Sequence, residues 1–490
     1  MLVPLELPPG FYRNGTDIQS SGRWRDGNLV RWRGGAMQPV GGWRDRSVDP
    51  LPVVPRSAHA WRDNSGDQWV AVGGFDSLKA FTGSGVTYDL TPTDLSVGLV
   101  SASLNTAFGG GFYGASDFGV ATVASGDAQE ATTWSLDNWG ENLVACSTED
   151  GRLMEWPLDT AGAAAPIANA PTDNAALLVT EERFLFALGA GGNPRKVQWS
   201  AQENNAEWTP AATNQAGDIE LQSNGQIMCG ARARGQSLIL TNIDAHTATY
   251  LPGSVFVYGF ERVGTGCGII SRQALVSTDE GVFWMGRSGF FLYQGGAVQE
   301  VACEVSDHVF RRLNAAQASK VWSVENAEFS EIWWFYPHGT EIDEYVCYNY
   351  REQFWTTGRL TRTCGVPRGV HPNPIWLGAD GAVYDHEVGI NHSGLSPFCE
   401  TGPISVGNGD KTFSAMELIP DELTQGDVRA RFKTRFYPNA GESEHGPYQM
   451  HAPTSVRFTG RQMRLRVETE RLSDWRVGTM RLRLKGRGRR

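Results

Sequence analysis

Apolar residues along this chain gather in short runs that are cut, again and again, by Gly, Asp and Asn. The stretch 275–300 shows the unit most clearly. Positions 275–277 lead into Asp279-Glu280-Gly281. The run 282–285 is closed by Gly286-Arg287-Ser288-Gly289, and the run 290–293 by Gly295-Gly296. Runs of aromatic and β-branched residues bounded by such turns predict strands joined as hairpins. None is long enough for an amphipathic helix. A meander of such hairpins is the unit of a β-propeller blade.

The unit returns along most of the chain. Candidate strands at 58–61, 69–72 and 78–81 are followed by groups at 134–156, 176–199, 227–251, 275–293, 321–356 and 375–386. Their starts are mostly ~40 to 50 residues apart, in the range of propeller repeats. The expectation is an all-β chain: a β-propeller of about six or seven blades over 56–395, an N-terminal arm over 1–55, and a C-terminal antiparallel β-sandwich-like domain over 396–490. The arm is dense in Trp and Arg, Trp24 and Trp32 among them. Both residue types are favoured at interfaces, so the arm either meets another subunit or folds back on its own chain.

Two stretches break the rhythm. The segment 93–130 is a Gly-rich loop inserted in the propeller and centred on 108–114. A loop this long inside a compact domain is functional or mobile. The segment 157–174 is Ala/Pro-rich and reads as a connector, and 313–320 is the best short helix. Beyond about 396 the pattern becomes strict alternation, clearest at 463–468 and 480–485. That predicts half-buried strands with apolar residues on one face. Arg464, Arg466, Arg481 and Arg483 should project from the opposite sheet face, either solvated or meeting an acidic neighbour.

Within the opening unit, Ser277, Asp279, Gly281 and Trp284 follow the spacing S-x-D-x-G-x-x-W. This resembles the Asp box of sialidase-like propellers and departs from it at Phe283, where that family usually has Thr. The resemblance implies a structural turn, in which the acidic side chain ties up turn amides and the Trp packs between strands. It implies no chemistry.

Composition sharpens this picture. The 490 residues, with 58 Gly and 17 Trp, suit many short strands and turns in more than one domain. The net charge of -11 argues against a simple nucleic-acid-binding module. Positive charge collects at the C-terminal end, where 455–490 holds twelve Arg or Lys and three Asp or Glu. Seven scattered cysteines without a CxxC pair read as buried thiols in a reducing compartment. The first residues lack a basic region followed by an apolar core, so no signal peptide is expected. No apolar run approaches ~20 residues, so no membrane span is expected.

The usual catalytic constellations are missing from the sequence. GAGGNPRK at 189–196 lacks phosphate-loop spacing and joins two strands, which makes it a hairpin. GTGCG at 264–268 is not a dinucleotide fingerprint, and GRSG at 286–289 is not a nucleophile elbow. His386, Glu387 and His392 lack metal-ligand spacing. No catalytic residue, metal or cofactor is expected.

Several motifs together resemble a family of tailed-phage structural proteins, the hub or nozzle of short-tailed phages. They are LPPGFYRNGT (7–16), GRW (22–24), NLVRW (28–32), PVGGW (39–43), WSLDNWGENLV (134–144), RFLFALG (183–189), QWS (198–200) and FTGRQ (458–462). The resemblance implies a virion tail protein, assembled in the host cytoplasm as a six-fold homo-oligomeric ring. Such a ring sits below the tail adaptor, the head-to-tail connector, and near tail fibre or needle proteins. It lines the channel through which genomic DNA leaves without specific binding. An acidic wall suits such a conduit, because it repels phosphates and lets the polymer slide. The alternative is a carbohydrate-active or glycan-binding propeller of sialidase type.

Overall fold

The computed structural model describes the chain except residues 47–48, 104–105, 108–121, 124–128, 255, 406–408, 410, 425, 470 and 489–490. The middle of the inserted loop, including 108–114, therefore lies outside the described residues. Its two ends are joined by a bridge between Ser103 and Gln129, and the Gln317 side chain bonds both the N–H and the C=O of Ala102.

The fold is all-β. Among the described residues, seven four-stranded antiparallel sheets follow one another as blades: blade 1 (57–89), blade 2 (134–166), blade 3 (176–220), blade 4 (227–265), blade 5 (275–301), blade 6 (322–359) and blade 7 (364–386). The first strand of each blade lies beside the first strand of the next, and that of blade 7 returns to blade 1. This closed ring is a seven-bladed propeller. Each blade is covered on both faces by its neighbours, so its middle strands are largely buried and rich in apolar residues. In blade 6 every residue of Glu331–Pro337 is buried, and in blade 3 so is every residue of Ala176–Val179 and Leu185–Leu188. That is why these strands read as runs rather than alternations.

Blade 7 is closed by the far end of the chain. Its outermost strand is Trp43–Asp45, which pairs antiparallel with Val383–His386. The segment 1–55 also feeds both sheets of the C-terminal sandwich. Leu2–Pro4 edges a four-stranded sheet with Arg481–Gly486, Phe413–Ile419 and Thr454–Gly460. Trp24–Asn28 edges the other sheet, beside Phe398–Thr401 and Gln462–Thr469. Gln462–Thr469 alternates strictly in burial and 481–484 does the same, as a sheet with one dry face requires.

Between propeller and sandwich the arm forms a wedge. The Trp32 ring lies 5.8 Å from Phe11, 6.2 Å from Trp24 and 5.7 Å from Phe354 of blade 6. Gly10 makes the turn that seats it. Its φ is +85°, and a Cβ there would lie 2.6 Å from the Phe354 Cβ. The Phe11 N–H then bonds the Trp355 carbonyl at 2.7 Å. The helix expected at 313–320 is displaced: the α-helix is Ser306–Arg312, and Ala315–Lys320 is a 3-10 turn. Leu313 is extended, and Asn314 starts the second turn by accepting the Ala316 N–H.

Candidate functional site

The first strands of the blades enclose an axial channel. Near their starts it widens to a cavity of about 240 Å³, lined by residues of all seven blades, including Ser57, Ser135, Gly230, Gln273 and Gly365. Small residues such as Ser57, Ser135, Gly230 and Gly365 line it where seven strands converge. One polar bridge crosses it, and a second ties blades 2, 3 and 4 together at its side. Gln273, just ahead of blade 5, donates to Ser57 of blade 1 and, at 3.0 Å, to the Trp134 carbonyl of blade 2. Arg232 of blade 4 reaches Asp137 of blade 2 with bonds of 2.5 and 2.6 Å, and bonds the Val179 carbonyl of blade 3 at 2.7 Å. Arg272 lies beside the cavity and pairs with Glu130 at 2.9 Å. The axis is therefore braced from side to side within one subunit.

A second cluster of charge is deeply buried where the arm meets blades 6 and 7. Arg31 Nη2 lies 2.8 Å from Glu331 and 2.6 Å from Glu387. Glu331 also accepts Trp333 Nε1, and Glu387 accepts Asn326 Nδ2 and the Gly41 N–H. The Phe329 ring lies 3.6 Å from the guanidinium carbon. Burial lowers the Arg31 pKa, but the two carboxylates more than offset this and hold it well above its usual value. Burial pushes Glu331 up against the pull of Arg31.

These contacts also separate the residues of the His386, Glu387 and His392 triplet. Glu387 turns to Arg31, His386 Nε2 accepts Arg362 Nε at 3.0 Å, and His392 Nε2 meets the Val40 carbonyl at 2.8 Å. Burial, then Arg362 and His392, hold His386 well below its ordinary value, so it stays neutral. Among the described residues no group of three or more His, Cys, Asp or Glu is placed to hold a metal ion. Six of the seven cysteines are fully buried. Burial pushes the Cys146 and Cys229 thiols up to about 12, which keeps them protonated and unreactive.

The Asp-box-like turn is a turn, with a different brace. Ser277 and Asp279 are exposed, and the Asp279 carboxylate bonds none of the described residues. Thr278 does the work expected of it. The Thr278 hydroxyl accepts the Glu280 N–H at 3.2 Å and donates to the Gly281 carbonyl at 3.0 Å. Ser277 Oγ donates across to the Arg232 carbonyl of blade 4 at 3.0 Å. Gly281 (φ +154°) faces the Tyr293 carbonyl, which a Cβ would approach to 2.3 Å. Trp284 is fully buried, and its Nε1 bonds the Cys267 carbonyl at 2.7 Å.

The expected interface residues divide three ways. Trp24 and Trp32 are 4% exposed, so their rings belong to the wedge and not to an outer surface. The four arginines do not share one sheet face, because Gln462–Thr469 and Arg481–Gly486 lie in different sheets. Arg464 is engaged within the chain by Asp17 at 2.7 Å and Glu442 at 3.0 Å. Arg466 bonds Glu468 at 2.7 Å and lies 3.7 Å from the Phe398 ring centre. Arg481 and Arg483 do face solvent, on the outer side of the four-stranded sheet. Lys485 and Arg457 flank them, both exposed, and the acidic residue paired on that face is Glu417, 2.9 Å from Arg483.

No protein-family model matches the sequence, and no curated protein matches it. Among solved structures, virginiamycin B lyase from Staphylococcus aureus aligns with a TM-score of 0.45 at 5% identity, over 70% of this chain and 98% of that one. YCF48 from Cyanidioschyzon merolae aligns at 0.40 and 11% identity, over 70% and 98%. BamB from Moraxella catarrhalis aligns at 0.38 and 9% identity, over 74% and 95%. These likenesses concern the fold alone, and the count of seven blades rests on the strand order itself.

Proposed function

We propose that this chain is a structural virion protein, a ring-forming nozzle or hub of a short phage tail. In this reading it attaches below the adaptor ring, meets fibre or needle proteins, and surrounds the DNA exit path as a six-fold homo-oligomer. The observation that carries the proposal is the outer face of the four-stranded sandwich sheet. It exposes Arg457, Arg481, Arg483 and Lys485 in a protein of net charge -11. A flat basic face on an acidic subunit is matched in charge to the acidic surface of a second copy. The wedge of the arm and the closure of blade 7 suit a subunit that transmits load without coming apart. Because the propeller axis is crossed by Gln273, the DNA path in this reading is the opening of the ring and not the axis of one propeller.

The test is Arg481→Glu with Arg483→Glu, assembled with ring partners in low salt. The expected result is loss of rings from a subunit that stays folded. Unimpaired rings, or loss of duplex DNA binding that the unaltered protein shows at physiological salt, would overturn the reading. The carbohydrate-active alternative predicts cleavage of a chromogenic glycoside by the same preparation.

A further inference from the structure

Where the arm, blade 6 and the sandwich meet, a cavity of about 320 Å³ is lined by Arg13, Asp26, His308, Arg312, Glu344 and Arg359. Three guanidiniums face two carboxylates there, and the carboxylates are unevenly shared. Glu344 is taken by Arg312, whose Nε lies 2.9 and 3.0 Å from its oxygens, and by the Tyr336 hydroxyl at 3.0 Å. Arg359 Nε is 3.7 Å from Glu344, and the Arg359 side chain is 75% exposed. Arg13 donates through Nη1 both to Asp26 at 3.0 Å and to Thr357 at 3.1 Å. Its Nε and Nη2 have no hydrogen-bond partner among the described residues, although the side chain is only 20% exposed. His308 faces the same space and likewise bonds none of the described residues.

We propose that this cavity binds a small oxyanion, of the sulfate, phosphate or free carboxylate kind, between Arg13, His308 and Arg359. A guanidinium presents parallel N–H groups that match two oxygens of such a ligand. The pocket has these donors in a place where charge is under-compensated. Burial lowers Arg13 below its usual value. Burial, with Arg13 and Arg312, also holds His308 down to about 4, against Glu344 and Asp26. An anion on this side reverses the sign of the field on His308 and favours its protonation. Binding therefore takes up a proton, and affinity rises as pH falls. Arg312, held above its usual value by its hydrogen bond to Glu344, stays charged throughout. Glu344, raised by burial, is brought below its ordinary value by Arg312 and stays ionised in the same range.

Sulfate and acetate serve as probes in calorimetric titrations of the full chain, with ionic strength held constant by chloride. Sulfate keeps one charge state between pH 5.5 and 7.5, which isolates the protein's own proton uptake. The expected result is saturable binding of at least one probe, roughly ten-fold weaker in Arg359→Gln, a change at an exposed side chain that leaves the fold intact. Binding should also tighten from pH 7.5 to 5.5 in the unaltered protein and not in His308→Gln. Absence of saturable binding by both probes at pH 5.5, or binding unchanged in both Arg359→Gln and Arg13→Gln, would overturn the assignment.

Discussion

Trp43 lies opposite His386 in the register that joins the N-terminal segment to blade 7, with the two rings stacked at a centroid distance of 5.2 Å. One strand of three residues thus ties the beginning of the chain to the last blade. Among the described residues, blade 7 is the one blade that joins strands from before and after the other six, so ring closure runs through it.

Trp43→Ala should therefore destabilise the whole propeller. It removes a buried indole, a stack on His386 and the hydrogen bond from Nε1 to Ser393, a loss of about 3–5 kcal/mol. Urea unfolding should show one transition at lower midpoint. A separate early transition that spares blades 1 to 6 would show that closure does not govern the ring.

At the 278–281 turn, Asp279→Ala should leave stability unchanged within about 0.5 kcal/mol. Thr278→Val should cost about 1 kcal/mol through its two lost hydrogen bonds, and Trp284→Ala about 3–5 kcal/mol. Thermal unfolding of the three variants ranks them. An Asp279→Ala loss equal to that of Thr278→Val would return the brace to the acidic side chain.

Arg31→Met leaves Glu331 and Glu387 buried and facing each other. Breaking a buried pair from one side costs about 3–5 kcal/mol. The added Glu387→Gln should restore part of it, since Asn326 and the Gly41 N–H remain to bind an amide oxygen. Equal stability of the single and double variants by chemical denaturation would contradict this.

Acid should weaken the fold through His308 and His371. Burial first, then nearby arginines, bring each down from 6.5 to about 4. Between pH 6.5 and 4 the unfolded chain then binds protons that the fold refuses. Their contribution is complete above 6.5 and is lost as pH falls through about 4. His308→Gln with His371→Gln should flatten stability against pH across that window. An unchanged slope in urea titrations at pH 4 to 7 would show that these histidines are not responsible.

Blades 1 to 6 were legible in the sequence because their middle strands are buried on both faces and stand out as apolar runs. Blade 7 was only half legible. Cys364–Val366 and Trp43–Asp45 have three residues each, too few to show a period, and the second meets its partner across most of the chain. Burial of Trp24 and Trp32 was not legible either, since a Trp-rich arm has the same composition whether it meets a subunit or its own chain. Arg464 and Arg483 alternate alike with apolar neighbours. What separates them is that Asp17 and Glu442 approach Arg464 from distant positions. Thr278 and Asp279 are both short polar turn residues, and only their orientation decides which one braces the loop.

The most direct measurement is electron microscopy with particle-mass determination on the purified chain, alone and mixed with the tail adaptor. The account predicts closed six-fold rings with an open centre, in at least one of the two preparations. Monomers or small open oligomers in both, under conditions where the chain is folded, would contradict it.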